Sequence, residues 1–380
     1  MSLAAQLALL SPVYVPLILS ALLLAGSGFR NRAKMWLSLA MFNASLVFWG
    51  NYLYFSHNYL TYSYLHSLHI FSVLAVYPSV FVYVLLLTNP QYRIKDALKH
   101  FLPGLLFSML SAAGFYLFLT PEQRIYFLST YRLHPTYDNI TLRFLFVVRF
   151  FNIGALFAQI ILYGFLIFRV LSQHRKQIGD LFSDTEKIRL SWIIVFNTSI
   201  IIAAFLSIFF YAVNPVKLFG DEKYLIAPLY LFAAVIWVLG ILGNNQKEIF
   251  AEREILSAED KSEETQPVSD DQLNRALLLW MEKEKPYLHS ELKIWDLSAA
   301  LHTNRTYISR LINQVHGCNF NQFINRYRVE HSKTLLLKTD RMIEEIATIS
   351  GFGSVSTFIR AFREAEGVTP MQWRKQRVGQ

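Results

Sequence analysis

IEEIATISGFGSVSTFIRAFREAEGVTP, residues 343–370, carries the pattern that decides the C-terminal fold. Ile343, Ile346 and Ala347 have the i, i+3, i+4 spacing of one buried helix face, and Gly351 supplies the turn that ends it. Ser354 is placed to cap a second helix, on which Phe358, Ala361 and Phe362 face inward. Val355, Ser356, Thr357 and Arg360 then face outward. Two short helices joined this way make a helix-turn-helix, whose second helix lies in a major groove of DNA. The GFGSVS run is not a phosphate loop, because no Lys follows at the required spacing.

Moving toward the N-terminus, KIWDLSAALHTNRTYISRLINQVHG (293–317) repeats the plan. Leu297 and Leu301 belong to the first helix, the turn passes His302 and Thr303, and Asn304 is the N-cap of the second. Ile308, Leu311, Ile312 and Val315 form the stripe expected to face a core, and Arg305, Thr306, Ser309 and Arg310 lie opposite. Between the units, residues 319–338 read as one amphipathic helix with Phe320, Phe323, Ile324, Tyr327 and Leu335 on its buried side. A rigid connector would hold the two recognition helices in successive major grooves, about 34 Å apart. Residues 271–380 are also net basic, with 16 Lys+Arg against 11 Asp+Glu.

The runs YISRLINQVHGCNFNQFINRYRVEHSKTLLL (307–337) and IEEIATISGFGSVSTFIRAFREAEGVTPMQWR (343–374) resemble the DNA-binding domain of the arabinose-regulator (AraC/XylS) family of bacterial transcription factors. The resemblance covers about residues 290–377, under a quarter of the chain. It implies sequence-specific binding of double-stranded DNA, with base contacts from Thr306, Ser309 and Arg310 in the first unit and Val355, Ser356, Thr357 and Arg360 in the second. Val355 departs from the polar residues common at its position, which suits a thymine methyl and predicts weaker readout by the second unit. It implies nothing about residues 1–243, since most relatives carry a soluble effector domain there.

The remainder of the chain has a different chemistry. Of 380 residues 53% are hydrophobic and only 17% charged, against about 25% charged in soluble proteins. Seven stretches approach the roughly 20 apolar residues needed to cross a bilayer: 12–29, 35–55, 67–87, 101–119, 144–168, 192–213 and 225–243. The first is a retained span rather than a signal peptide, because no Lys or Arg precedes it while Arg30, Arg32 and Lys34 follow. The odd-numbered connections carry eleven Lys+Arg (Arg30, Arg32, Lys34; Arg93, Lys95, Lys99; Arg169, Arg175, Lys176, Lys187, Arg189) and the even-numbered ones five. The positive-inside rule therefore places the N-terminus outside and the tail in the cytoplasm of a multi-pass protein of the cell (inner) membrane.

Polar residues within spans are candidates for function because lipid makes them costly. Asn43, Asn51, Arg149, Asn152, Gln159 and Asn197 qualify. Arg149 and Asn152 in the fifth span, with His66 and His69 at the outer start of the third, are the sensing candidates, for a small-molecule or membrane signal. Against them stands the reading of Arg149 as a snorkelling side chain and of the histidines as part of an aromatic belt. No third ligand accompanies the two histidines, so neither a metal nor a cofactor is expected. Cys318 is the sole cysteine, which excludes an intramolecular disulfide and a CxxC site, and it reads as structural.

Residues 244–270 are acidic, with 3 Lys+Arg against 8 Asp+Glu, and read as a helical extension followed by a flexible tether rather than a coiled coil. No HExxH, no GxSxG and no Asp or Glu within a span point to an enzyme. The expectation is thus an all-α chain: a seven-transmembrane sensor bundle (1–243), a linker (244–270) and a cytoplasmic, homeodomain-like double helix-turn-helix domain (271–380). Its partners would be double-stranded DNA, membrane lipid and an unknown signal, with homodimerisation left open. The seventh helix and linker would carry the signal, by coupling or by proteolytic release. The alternative is a membrane receptor or transporter whose helical tail recruits a protein.

Overall fold

A computed structural model describes residues 3–27, 31–89, 91–131, 139–184, 193–195, 197–199, 201–202, 226–245 and 269–378. Among these residues the secondary structure is helical apart from one isolated antiparallel bridge, between Phe182 and Lys293. The chain divides into two units, Met1–Leu171 with Leu190–Glu248, and Ser172–Arg189 with Ile249–Gln380.

The first unit contains α1 (Leu3–Ser27), α2 (Arg32–Phe55), α3 (Tyr59–Thr88), α4 (Ile94–Leu117), the short α5 (Pro121–Tyr126), most of α6 (Ile140–Gly179) and α7 (Ile226–Asn245). Side chains from α1, α2, α3, α6 and α7 share one core, which includes Leu37, Ala40, Met41, Val82, Tyr163 and Ile236. Small residues let α1 and α2 approach. The Ser20 and Ser38 hydroxyls lie 2.9 Å apart, Ser38 Oγ donates to the Ser20 carbonyl at 2.9 Å, and Ser45 Oγ donates to the Val13 carbonyl at 2.8 Å. These hydroxyl bonds satisfy buried polar groups while tying the two helices together.

Of the seven expected spans, α3, α4 and α6 are long and apolar enough to cross a membrane among the described residues. In α1 and α7 the apolar stretches among the described side chains are Leu10–Gly26 and Ala233–Asn244. α2 has 24 residues, but Asn43, Asn51 and its serines lower its hydropathy, and many of its side chains are buried. The sixth expected span, 192–213, lies mostly outside the described residues, as does most of the linker. α6 has 40 residues, so it is about 60 Å long, twice the roughly 30 Å of a hydrocarbon core. Its outer surface is apolar, with Phe150, Phe151, Ile161 and Phe165 all exposed.

The second unit contains α8 (Asp270–Lys283), α9 (Ile294–Ala300), α10 (Arg305–Val315), α11 (Phe320–Lys338), α12 (Ile343–Ile349), α13 (Val355–Glu366) and α14 (Pro370–Val378). It has two cores. Leu277, Met281, Leu297, Ile308 and Ile312 pack with Phe320, Phe323 and Ile324 of α11; Ile346, Phe358, Phe362 and Trp373 pack with Val329 and Leu336 of the same helix. α11 starts at a capping box in which Asn319 Oδ1 accepts from Gln322 N and Gln322 Oε1 accepts from Asn319 N. Tyr327 and Leu335 are half-buried rather than buried, and Val315 is exposed at the last turn of α10, which corrects its place in the expected stripe. Cys318 is buried and burial pushes its thiol up, which disfavours the reactive thiolate.

Gly317 and Gly351 both adopt left-handed backbone, with φ of 63° and 84°. A Cβ at Gly317 would meet nothing, whereas one at Gly351 would collide with the Tyr287 carbonyl. Gly317→Ala is therefore expected to cost about 1 kcal/mol, and Gly351→Ala at least twice that. Chemical denaturation of the two variants, followed by the fluorescence of the second unit, checks the order.

Candidate nucleic-acid interface

In the first helix-turn-helix, α9 is tied at its start, where Lys293 N donates to Asp296 Oδ2 at 2.7 Å. His302 takes a left-handed conformation (φ 48°) in the turn. Asn304 Oδ1 then accepts from Thr306 N at 2.7 Å, capping α10 as its sequence predicts. With Ile308, Leu311 and Ile312 fully buried, the opposite face is set by helical geometry. Arg305 lies half-exposed over the Trp295 ring, its Cζ 5.7 Å from the centroid. Thr306 and Arg310 are exposed, and Ser309 is half-buried. The Arg310 guanidinium stacks over Tyr307 at 5.0 Å and donates to Asp270 Oδ1 at 2.9 Å. Both partners of that pair are about half exposed, so its contribution is at most about 1 kcal/mol.

The second unit keeps the plan with one correction. Gly351 makes the turn, and Ser354 Oγ accepts from Thr357 N at 3.1 Å. Phe358, Ala361 and Phe362 point inward. Thr357, expected to face outward, is only 2% exposed, and its hydroxyl lies 3.0 Å from Ser354 Oγ. At N3 it stands at the edge of the apolar stripe and serves the cap. Val355 is half-buried against the second core. The exposed face of α13 is formed by Ser356, Ile359, Arg360 and Arg363. Ile359 and Arg363, one turn further along, join the face expected from sequence, and the i, i+3, i+4 offsets from Ser356 and Arg360 mark them.

Sequence also missed Arg328. On an amphipathic helix it reads as a surface charge, yet it is 0% exposed. Its Nε donates to the Tyr287 carbonyl at 2.7 Å, and its terminal nitrogens donate to the His289 carbonyl at 2.8 Å and to Ser183 Oγ at 3.0 Å. Burial lowers it to about 10, opposed by Asp184 and Glu291, so it remains charged at neutral pH. Ser183 belongs to the segment that follows α6. That segment is part of the second unit: Ser183 N donates to the Leu292 carbonyl, Ile294 N to the Leu181 carbonyl, and Asn321 Nδ2 to the Ser183 carbonyl. The carboxyl of Asp180 is raised by burial, an effect that the nearby Asn313 side chain on α10 opposes.

In the first unit, the four sensing candidates Arg149, Asn152, His66 and His69 all line one cavity. The Tyr62 hydroxyl lies 2.9 Å from His69 Nδ1.

The geometry of the second unit is that of two helix-turn-helix units on one connecting helix. Residues 297–376 match the profile described as "Helix-turn-helix domain". Over 88 residues the chain is 32% identical to the HTH-type transcriptional regulator YtdP of Bacillus subtilis, which is 23% of this chain and 11% of that one. Over 82 residues it is 38% identical to the HTH-type transcriptional regulator YisR of the same organism, 22% and 29% of the two lengths. The chain thus spans only about a tenth of the length of relatives such as YtdP. Among solved structures, the C-terminal domain of the response regulator AraT from Geobacillus stearothermophilus is 31% identical, with 28% of this chain and 84% of that one covered and a TM-score of 0.25. Residues 297–376 are therefore a helix-turn-helix domain, of the kind carried by the transcriptional regulators YtdP and YisR.

Arg310→Ala and Arg360→Ala are each expected to weaken binding to a selected DNA site by about 1–3 kcal/mol. Thr357→Ala should instead lower the melting temperature and leave the affinity of the folded protein nearly unchanged. Fluorescence anisotropy with the selected duplex, alongside thermal melts, separates the two effects.

Proposed function

We propose that the chain is a membrane-integral one-component transcription regulator, binding double-stranded DNA through α10 and α13 under the control of a signal met by its helical first unit. The observation that supports this best is the pairing of two capped recognition helices on one spine, each presenting exposed arginine. Arg310 lies on one and Arg360 and Arg363 on the other. Arg310 and Thr306 would read base edges, Arg305 and Arg363 would hold phosphates, and Ser356 would contact either.

Membrane integration is supported by the exposed apolar surfaces of α4 and α6, including Met109, Leu117, Phe118 and Phe168. Such a surface cannot be left to water over several helices. The charge asymmetry of the connections favours a cytoplasmic tail. DNA-binding and membrane functions then meet in one polypeptide without a diffusible messenger.

We further infer the route of the signal. The sequence suggested the seventh helix and the acidic linker, but α6 ends in a segment whose Leu181 and Ser183 are hydrogen-bonded into the DNA-binding unit. Two carboxylates stand beside α10 in this arrangement, Asp270 on Arg310 and Asp180 on Asn313. Asp270 competes with phosphate for the Arg310 donor, and Asp180 adds negative charge beside the recognition helix. A shift of α6 that withdraws Asp180 would favour DNA, and differential affinity of about 1–3 kcal/mol would suffice for a useful switch.

The intact protein in lipid nanodiscs should protect two patches of DNA about one helical turn apart, on one face of the duplex. Random-site selection that enriches no sequence would sink the regulator reading. Asp270→Ala should tighten binding by up to about fivefold, since it removes an exposed pair worth at most about 1 kcal/mol; unchanged or weaker binding would show that Asp270 does not compete with DNA.

A further inference from the structure

The cavity that collects Arg149, Asn152, His66 and His69 has a volume of about 180 Å³ and lies wholly within the first unit, between α3, α4 and α6. Two polar atoms on its wall are buried without a hydrogen-bond partner, Ser111 Oγ and Asn152 Oδ1, and Ser111 is only 1% exposed. Buried polar atoms are almost always paired, because an unmet donor or acceptor carries its full desolvation penalty. A site that keeps two of them on one wall is suited to a polar guest.

The helical framework around the cavity is irregular in the same place. Ser111 stands just before a π-helical turn, Ala113–Leu117, and Phe127, also on the wall, opens a second one, Phe127–Tyr131. Such turns recur at functional sites, where they re-aim side chains. The polar side is held in position: the His69 ring packs against Gly50, where any Cβ would collide with it, and its Nδ1 is bonded to Tyr62.

The lining defines the guest. Among the described residues it contains one guanidinium, that of Arg149, and neither Asp nor Glu, so these residues offer a charged partner to a carboxylate and none to a cationic amine. Asn152 Oδ1 requires a donor. Ile70, Val73, Leu145 and Val148 supply an apolar floor. An apolar cavity of about 150 Å³ admits benzene, so this one admits roughly ten non-hydrogen atoms at most, which excludes a bilayer fatty acid.

We propose that the cavity binds a small hydroxylated carboxylate as the effector of the regulator, Arg149 pairing with the carboxylate and Asn152 Oδ1 accepting from the hydroxyl. This rests on reading the first unit as the sensor. The test uses the full chain in detergent micelles, with 4-hydroxybenzoate and 6-hydroxyhexanoate as probes and their uncharged amides as controls, by titration calorimetry and thermal melting. At least one acid should bind saturably and raise the melting temperature, with its amide about tenfold weaker or more, as the loss of a charge-assisted hydrogen bond implies. Arg149→Gln should erase the difference between acid and amide. Ser111→Leu, which fills the cavity from another helix, should remove binding of both, so the result does not hang on one variant folding.

The proposal is overturned if neither acid binds, if the amides bind equally well, or if Ser111→Leu leaves binding intact. Footprinting of the same sample without ligand reports on the regulator reading separately. A footprint with no ligand binding defeats only the cavity assignment, and ligand binding with no footprint at any site defeats the regulator.

Discussion

The guanidinium of Arg328 lies entirely out of water and draws two separate stretches of chain to α11. Desolvating a charge costs several kcal/mol unless its donors are met. Here they are met by carbonyls of Tyr287 and His289, between α8 and α9, and by Ser183, beyond the end of α6. Among the described residues its hydrogen bonds go to carbonyls and a hydroxyl, while the charges of Asp184 and Glu291 oppose the effect of burial. The charge can therefore remain buried only while both stretches converge on α11, and the segment after α6 becomes a structural part of the second unit rather than a passing loop.

That convergence also organises the two cores. Arg328 sits on α11 between Ile324, which belongs to the first core, and Val329, which belongs to the second. Each recognition helix buries one stripe in its own core and shows the other side, so both faces are referred to the same 19-residue helix. Lys333 adds a tie from α11 to α13, pairing with Glu330 and Glu366 at 2.9 and 3.0 Å. In the first unit the equivalent ties are made by serine hydroxyls, Ser38 on the Ser20 carbonyl and Ser45 on the Val13 carbonyl.

Much of this was legible in the sequence because it is local. The caps Asn304 and Ser354, the turn at Gly351 and the inward stripes of α10 and α13 depend on residues within one or two turns of each other, and all lie where the spacing put them. Errors fell at the edges of stripes: Val315 emerges at the last turn of α10, and Thr357 turns in to serve the cap of α13. The expected seven spans rest on hydropathy alone. Hydropathy identifies α3, α4 and α6 clearly but weighs α2 lightly, since Asn and Ser count as polar there even when helix packing buries them. The sensing candidates stand out in the sequence by their cost in lipid, and no local rule shows that they share one cavity.

The sequence by itself determined the helical class, the two recognition helices and the apolar character of the first part, because periodicity, caps and composition are properties of neighbouring residues. Only the tertiary structure decided that Arg328 is buried, that Ser183 reaches it across 145 positions, and that Ser111, His66 and Arg149 from three helices line one cavity. Those facts depend on which distant groups meet. Periodicity says which face of a helix is covered, but not which segment covers it.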